Sequence, residues 1–312
     1  MPLLLIWVVC NVSDFSCIFP LQKGCPTTSL FFLPDVGGSV FYSRKLTEAL
    51  GKEPSLYGFR LDPEFDWSQP ERTFIKLAEQ FADNLINSDI PEPYHLIGHS
   101  FAGLLAFETA RQLKIKGGNV GLVALLDTPV PEHMRINSKI EKLTYVLRMI
   151  ANIAYWVWHK ILSEGLLQTV KFFIGKTAEF IRPHGVENTN ISKKKTNRLT
   201  ASGYATIDLT HQPESYRIII GNLYKAMTFY QPLLYEGDLV VFKSRVQEFS
   251  EANPSHMGWR PYVEGKVNTH IVGGQHLDII HKNTEVFSVA FILTDLLQKT
   301  ALDTQKKQYQ DR

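Results

Sequence analysis

Short apolar runs alternate with segments of helical spacing through the first 130 residues. SLFFLPDVGG (Ser29–Gly38) is an apolar run closed by Pro, Asp and two glycines, which predicts a buried strand and a tight loop. SVFYSRKLTEAL follows with Phe41, Leu46 and Leu50 on one helical face. SLYGFRL reads as a second strand. TFIKLAEQFADNLINS places Phe74, Leu77, Phe81 and Leu85 along one stripe of an amphipathic helix. PYHLIGHS is a strand, FAGLLAFETARQLKIKG a helix closed by Gly117 and Gly118, and NVGLVALLDTPVP an apolar strand ending at Asp127. Continuous apolar strands separated by helices predict a mostly parallel sheet flanked by helices on both faces, an α/β class.

After Pro131 the rhythm breaks. Up to about Tyr230 the chain shows helical patterns and polar loops without a clear strand. KIEKLTYVLRMIANIAYWVWHKIL is long and aromatic, and its Lys142 and Arg148 argue against a membrane span. Strands return with GDLVVFKSR and KVNTHIVGG, followed by a closing helix from about Asn283 to Lys299. The division expected is a loosely ordered N-terminal segment (1–25), an α/β core (26–130 and 233–300), a helical insertion (131–232) and a frayed polar tail (301–312). There is no internal repeat.

Composition narrows the function classes. The formal charge of +2 supplies no basic excess for neutralising phosphates, so nucleic acid is not an expected partner. The three cysteines, Cys10, Cys17 and Cys25, form no CxxC pair, which argues against a disulfide framework or zinc site and fits the cytoplasm. The apolar start, MPLLLIWVVC, has no Lys or Arg before Lys23 and is too short to span a bilayer, so neither a secretory signal nor stable membrane insertion is expected.

The chemistry centres on GHSFAG. A serine on a sharp strand-to-helix turn needs small neighbours, here Gly98 two residues before and Ala102 two residues after. Taken alone, Ser100 could be such a nucleophile or a helix cap. A nucleophile requires a base and an orienting acid. Asp127 ends the next strand, and His276 follows the last strand in a glycine-rich turn, giving the order Ser, acid, His. Glu248 is a distant second for the acid, and His99, adjacent to Ser100, is a poor base. The N–H of Phe101 opens the helix after Ser100, and the N–H of Val36 sits in the PDVGG loop; these are the expected oxyanion donors.

Together these blocks resemble the thioesterase domains of nonribosomal peptide and polyketide synthases, within the α/β-hydrolase fold. FPLQKG with LFFLPDVGG looks like the opening of such domains. YHLIGHSFAGLLAFETARQL looks like their nucleophile elbow, and VALLDTPVP like the strand with their aspartate. YEGDLVVFKSR and GWRPYVEGKVNTHIVGGQHLDII look like their last strands and histidine. Ala102 departs from the usual glycine. The resemblance implies a Ser100–Asp127–His276 triad, oxyanion amides at Val36 and Phe101, no bound cofactor or metal, and a lid formed by 131–232. It also implies an acyl or peptidyl substrate carried on the phosphopantetheine arm of a partner carrier protein and released by hydrolysis or cyclisation. In the lid, Tyr155, Trp156 and Trp158 would line the acyl pocket or pack the lid. Lys193, Lys194, Lys195 and Arg198 would meet an acidic carrier or remain a solvated loop. No carrier-domain attachment site is seen upstream, so the expectation is a stand-alone enzyme or a C-terminal piece. An editing thioesterase and a small-molecule esterase or lipase are the alternatives.

Overall fold

The computed structural model describes residues 17–62, 64–131, 139–171, 198–199, 207–208, 213–247 and 253–310. Seven strands form the main sheet: β1 (Ile18–Gln22), β2 (Cys25–Phe32), β3 (Pro54–Phe59), β4 (Tyr94–His99), β5 (Val120–Leu126), β8 (Leu239–Ser244) and β9 (Val267–Val272), ordered β1-β3-β2-β4-β5-β8-β9. All neighbouring pairs are parallel except β1 with β3. Every residue of β4 and the last five of β5 are buried, as continuous apolar runs predict for strands covered on both faces.

Helices follow the strands. They are α1 (Arg44–Ala49), α2 (Pro70–Ile86), α3 (Phe101–Ile115) and, after β9, α6 (Asp278–His281) and α7 (Asn283–Gln310). Helix α2 starts with Pro70 in its first turn, where a missing N–H costs nothing, and buries Phe74, Leu77, Phe81 and Leu85. Helix α3 ends as Gly117 takes a left-handed φ of 83° and the Gly118 N–H reaches back to the Leu113 carbonyl at 2.8 Å. α2 packs on α3, and α1 on α7.

Two expectations are corrected. The segment before residue 26 was expected to be loose, yet Ile18–Gln22 forms the edge strand of the sheet and Cys17 is buried; residues 1–16 lie outside the described residues. Pro20 hid this strand, since proline is tolerated only on an edge. The tail expected to fray continues α7 through Gln310, because no Gly or Pro interrupts residues 283–312.

Between β5 and β8 the described residues lie outside the main sheet. This insertion includes α4 (Lys139–Glu164), α5 (Glu214–Phe229) and a short antiparallel pair, β6 (Arg198–Leu199) with β7 (Ile207–Asp208), too brief to show a sequence pattern. Trp156 of α4 is buried beneath Lys160, whereas Tyr155 and Trp158 are 50% and 63% exposed, so only the first of the three packs. The far end of the insertion is pinned by charge. Tyr230 donates to Glu108 Oε2 at 3.0 Å, and Arg111 and Gln112 donate to the same buried carboxylate.

Candidate active site

The parallel sheet brings three strand ends level. Leu33 N–H bonds the Ile97 carbonyl, Ser100 N–H the Leu126 carbonyl, and Asp127 N–H the Phe242 carbonyl at 2.7 Å. Strand order reverses between β2 and β4, so the loop after β2 and the turn after β4 flank one crevice at the carboxyl edge, where ligands of such sheets bind.

Ser100 sits in that turn with φ 54° and ψ −117°, a strained backbone for a residue with a Cβ. Its side chain makes no capping bond to α3, which removes the helix-cap reading. The turn is tight because the first turn of α3 lies against Gly98. A Cβ there would fall 2.1 Å from the Ala102 carbonyl oxygen. Ala102 itself is fully buried in the core, so its methyl is accommodated. The other close approach is at Gly103, where a Cβ would meet Thr128 Oγ1 at 2.0 Å.

Asp127 also has a positive φ, 42°, and is 3% exposed. Its Oδ2 accepts from His276 Nδ1 at 2.8 Å, so two of the three expected side chains are joined. The Ser100 hydroxyl makes no hydrogen bond to His276 in this structure. Such contacts are commonly long until a substrate closes the site. Burial opposes the charge of Asp127. The His276 hydrogen bond and imidazole charge, with the N–H and O–H of Ser244, outweigh it and hold the carboxyl at about 2.

His99 serves a different purpose from a base. Its Nε2–H donates to the His276 carbonyl at 2.9 Å, and the two rings pack tilted by 37° with centroids 4.5 Å apart. Burial, then the adjacent His276 ring, pushes its pKa down to about 3, so it is a neutral prop. Trp259, fully buried, donates from Nε1 to the Thr128 carbonyl at 2.7 Å and secures the turn after β5.

The loop after β2 closes on itself. Asp35 Oδ1 accepts from the N–H groups of Gly37 and Ser39 at 2.9 and 3.1 Å, and Gly38 takes φ 76°. Tyr216 of α5 packs on Gly37. Among the described residues, neither the Val36 nor the Phe101 N–H is used in an internal hydrogen bond.

Ser244, Gln247 and Trp259 are not found from the sequence, and His99 is singled out there only as a poor base. Ser244 stands beside Asp127 only because β8 neighbours β5, and a polar residue ending the apolar run LVVFKS was the one available signal. Glu248, the second choice of acid, and Lys193–Lys195 lie outside the described residues. Among the described residues, no helix is long and apolar enough to cross a membrane.

Residues 28–292 match the family model of the thioesterase domain. Chondramide synthase cmdD of Chondromyces crocatus is 22% identical over 297 residues, covering 92% of this chain and 7% of the relative. Malpinin synthetase of Mortierella alpina is 22% identical over 309 residues, covering 98% of this chain and 3% of the relative. The chain thus spans less than a tenth of the length of these relatives. Among solved structures, the NocB thioesterase domain from the nocardicin cluster aligns over 90% of this chain and 99% of its own, with TM-score 0.52 and 14% identity. A four-domain nonribosomal peptide synthetase bound to AMP and glycine aligns over 90% of this chain and 20% of its own, with TM-score 0.57 and 17% identity. At such identities the likeness establishes the fold, an α/β-hydrolase-like parallel sheet flanked by helices. With the family model matched across most of its length, and synthetases among the proteins it resembles, the chain belongs to the thioesterase-domain family.

Proposed function

We propose that the protein is a serine thioesterase. It cleaves an acyl or peptidyl thioester from the phosphopantetheine arm of a carrier protein through an acyl-enzyme on Ser100. The observation that carries this reading is the hydrogen bond from His276 Nδ1 to the buried Asp127 carboxylate, beside the strained, uncapped Ser100. That bond fixes the imidazole tautomer with its proton on Nδ1, leaving Nε2 as the base.

In the first step Ser100 Oγ attacks the thioester carbon and its proton passes to His276. The carbonyl oxygen becomes an oxyanion, received by the N–H groups of Val36 and Phe101. Collapse breaks the carbon–sulfur bond, and His276 returns the proton to the departing pantetheine thiolate. In the second step water, or an amine or hydroxyl of the acyl chain, attacks the ester and regenerates Ser100. Hydrolysis releases an acid; internal attack releases a ring. The insertion after β5 serves as a lid over the acyl chain, with Tyr155 and Trp158, both exposed on α4, available to meet it.

Mass spectrometry of acyl-loaded carrier protein tests this. The intact protein should release the acyl group and show an acyl adduct on Ser100, and Ser100→Ala should slow release by about three orders of magnitude or more. Equal release by both would overturn the mechanism. Faster turnover of simple esters than of carrier-bound thioesters would replace it with an esterase.

A further inference from the structure

One face of α4 reaches both loops that flank the proposed triad. Asn152 and His159 are seven residues apart, two helical turns, and so project from the same side. Asn152 is buried. Its Oδ1 accepts from the Gln247 N–H at 3.0 Å and its Nδ2 donates to the Gln247 carbonyl at 3.2 Å. One side chain thereby gives a loop residue the pair of backbone bonds that a neighbouring strand would otherwise provide. The Gln247 side chain, so held, donates from Nε2 toward Asp127 Oδ1 at 3.3 Å and to the Ser244 carbonyl at 3.0 Å, and accepts from Asn253 at 2.9 Å.

Two turns along α4, His159 Nδ1 lies 3.1 Å from Gln275 Nε2, and its Nε2 lies 3.5 Å from Asp278 Oδ2. Asp278 Oδ2 also accepts from the Gln275 N–H at 2.8 Å. These contacts brace the turn that carries His276. Trp156, between the two polar residues, is buried, while Ile150 and Trp158 are exposed.

We infer that α4 positions the acid and the base: its seat on the core orients Asp127 through Asn152 and Gln247, and His276 through His159 and the Gln275–Asp278 turn. This rests on the triad reading above. Asn152 and His159 are positioning residues, acting through others and not on the reacting atoms. An insertion that shifts to admit a substrate therefore carries the alignment of the triad with it.

The probe is a small alkyl fluorophosphonate. Ser100 Oγ bonds phosphorus, the phosphorus–fluorine bond breaks, fluoride leaves, and the serine proton passes to His276. A probe this small reports triad alignment with little contribution from acyl-chain binding. The intact protein should label and Ser100→Ala should not; failure of either result overturns the triad reading itself. Given labelling, Asn152→Ala and His159→Ala should each slow it by about 10- to 100-fold, the usual effect of misplacing a catalytic group by about an ångström. Ile150→Ala, on the exposed face of α4, should label at the wild-type rate. In an Asp127→Asn background, Asn152→Ala should add less than about a twofold change, because its effect runs through the carboxylate. If Asn152→Ala does not fold, Asn152→Asp, which keeps the acceptor and loses the donor, takes its place. Wild-type labelling by folded Asn152 variants, or equal slowing with and without Asp127, would overturn the coupling to the acid. Wild-type labelling by His159→Ala would overturn the coupling to the base.

Discussion

Ser244 holds Asp127 twice: its N–H donates to Oδ1 at 2.8 Å and its hydroxyl to Oδ2 at 2.7 Å, the same oxygen that receives His276. Ser244→Ala keeps the backbone bond and removes the hydroxyl. The folded pKa of Asp127, now about 2, should rise toward the ordinary value of 3.8. A depressed carboxylate contributes stability that is present above 3.8 and fades as pH falls toward 2. Ser244→Ala should therefore lose about 1–3 kcal/mol at pH 7, read from urea denaturation midpoints. Turnover should fall about tenfold, since His276 keeps its partner but on a less firmly held carboxylate.

The elbow tolerates a methyl at residue 102 and not at residue 98. Gly98→Ala would press a Cβ into the Ala102 carbonyl and lift α3 from β4, costing about 1–3 kcal/mol or more together with most of the activity. Ala102→Gly removes that buried methyl. It should cost about 1 kcal/mol of helix stability and leave turnover within about twofold. Thermal melts and steady-state rates of the two variants separate these outcomes.

His95 lies inside β4, buried, with no partner for Nδ1 among the described residues. Burial lowers its pKa from 6.5 to about 4. The unfolded chain binds the proton more readily, so stability should fall as pH drops from about 6.5 to about 4. The effect is on the order of 3 kcal/mol at full extent. His95→Leu should flatten this part of the stability curve, and His99, also buried and neutral, should retain a share of it. Denaturation midpoints at pH 5 and 7.5 provide the check.

Tyr230→Phe and Glu108→Ala should differ sharply. The first removes one of the donors to a buried carboxylate and should cost about 1–2 kcal/mol. The second strands Arg111, whose side chain is 12% exposed, and should cost about 3–5 kcal/mol. Chemical denaturation of both, with Arg111→Gln for comparison, distinguishes the anchor from a surface pair.

Much of this architecture was legible because apolar runs locate buried parallel strands and glycines locate their turns. Ser100, Asp127 and His276 each follow such a run, and the Asp127–His276 pair is the part of that order the structure joins. What could not be read is whatever depends on a neighbour in space. Strand β1 was obscured by Pro20, which only an edge position excuses. Gln247 and Asn152 are ordinary polar residues, 95 positions apart, until the insertion folds back and joins them. The polar tail carries no Gly or Pro to stop a helix, and α7 continues through Gln310.

Ser100, at φ 54° and ψ −117°, occupies a conformation in which only glycine is at ease, at a cost of about 1–3 kcal/mol. Ser100→Gly should therefore melt at a higher temperature than the natural protein while losing its chemistry. The most stable form of this fold and its most reactive form are different molecules, separated by a single side chain.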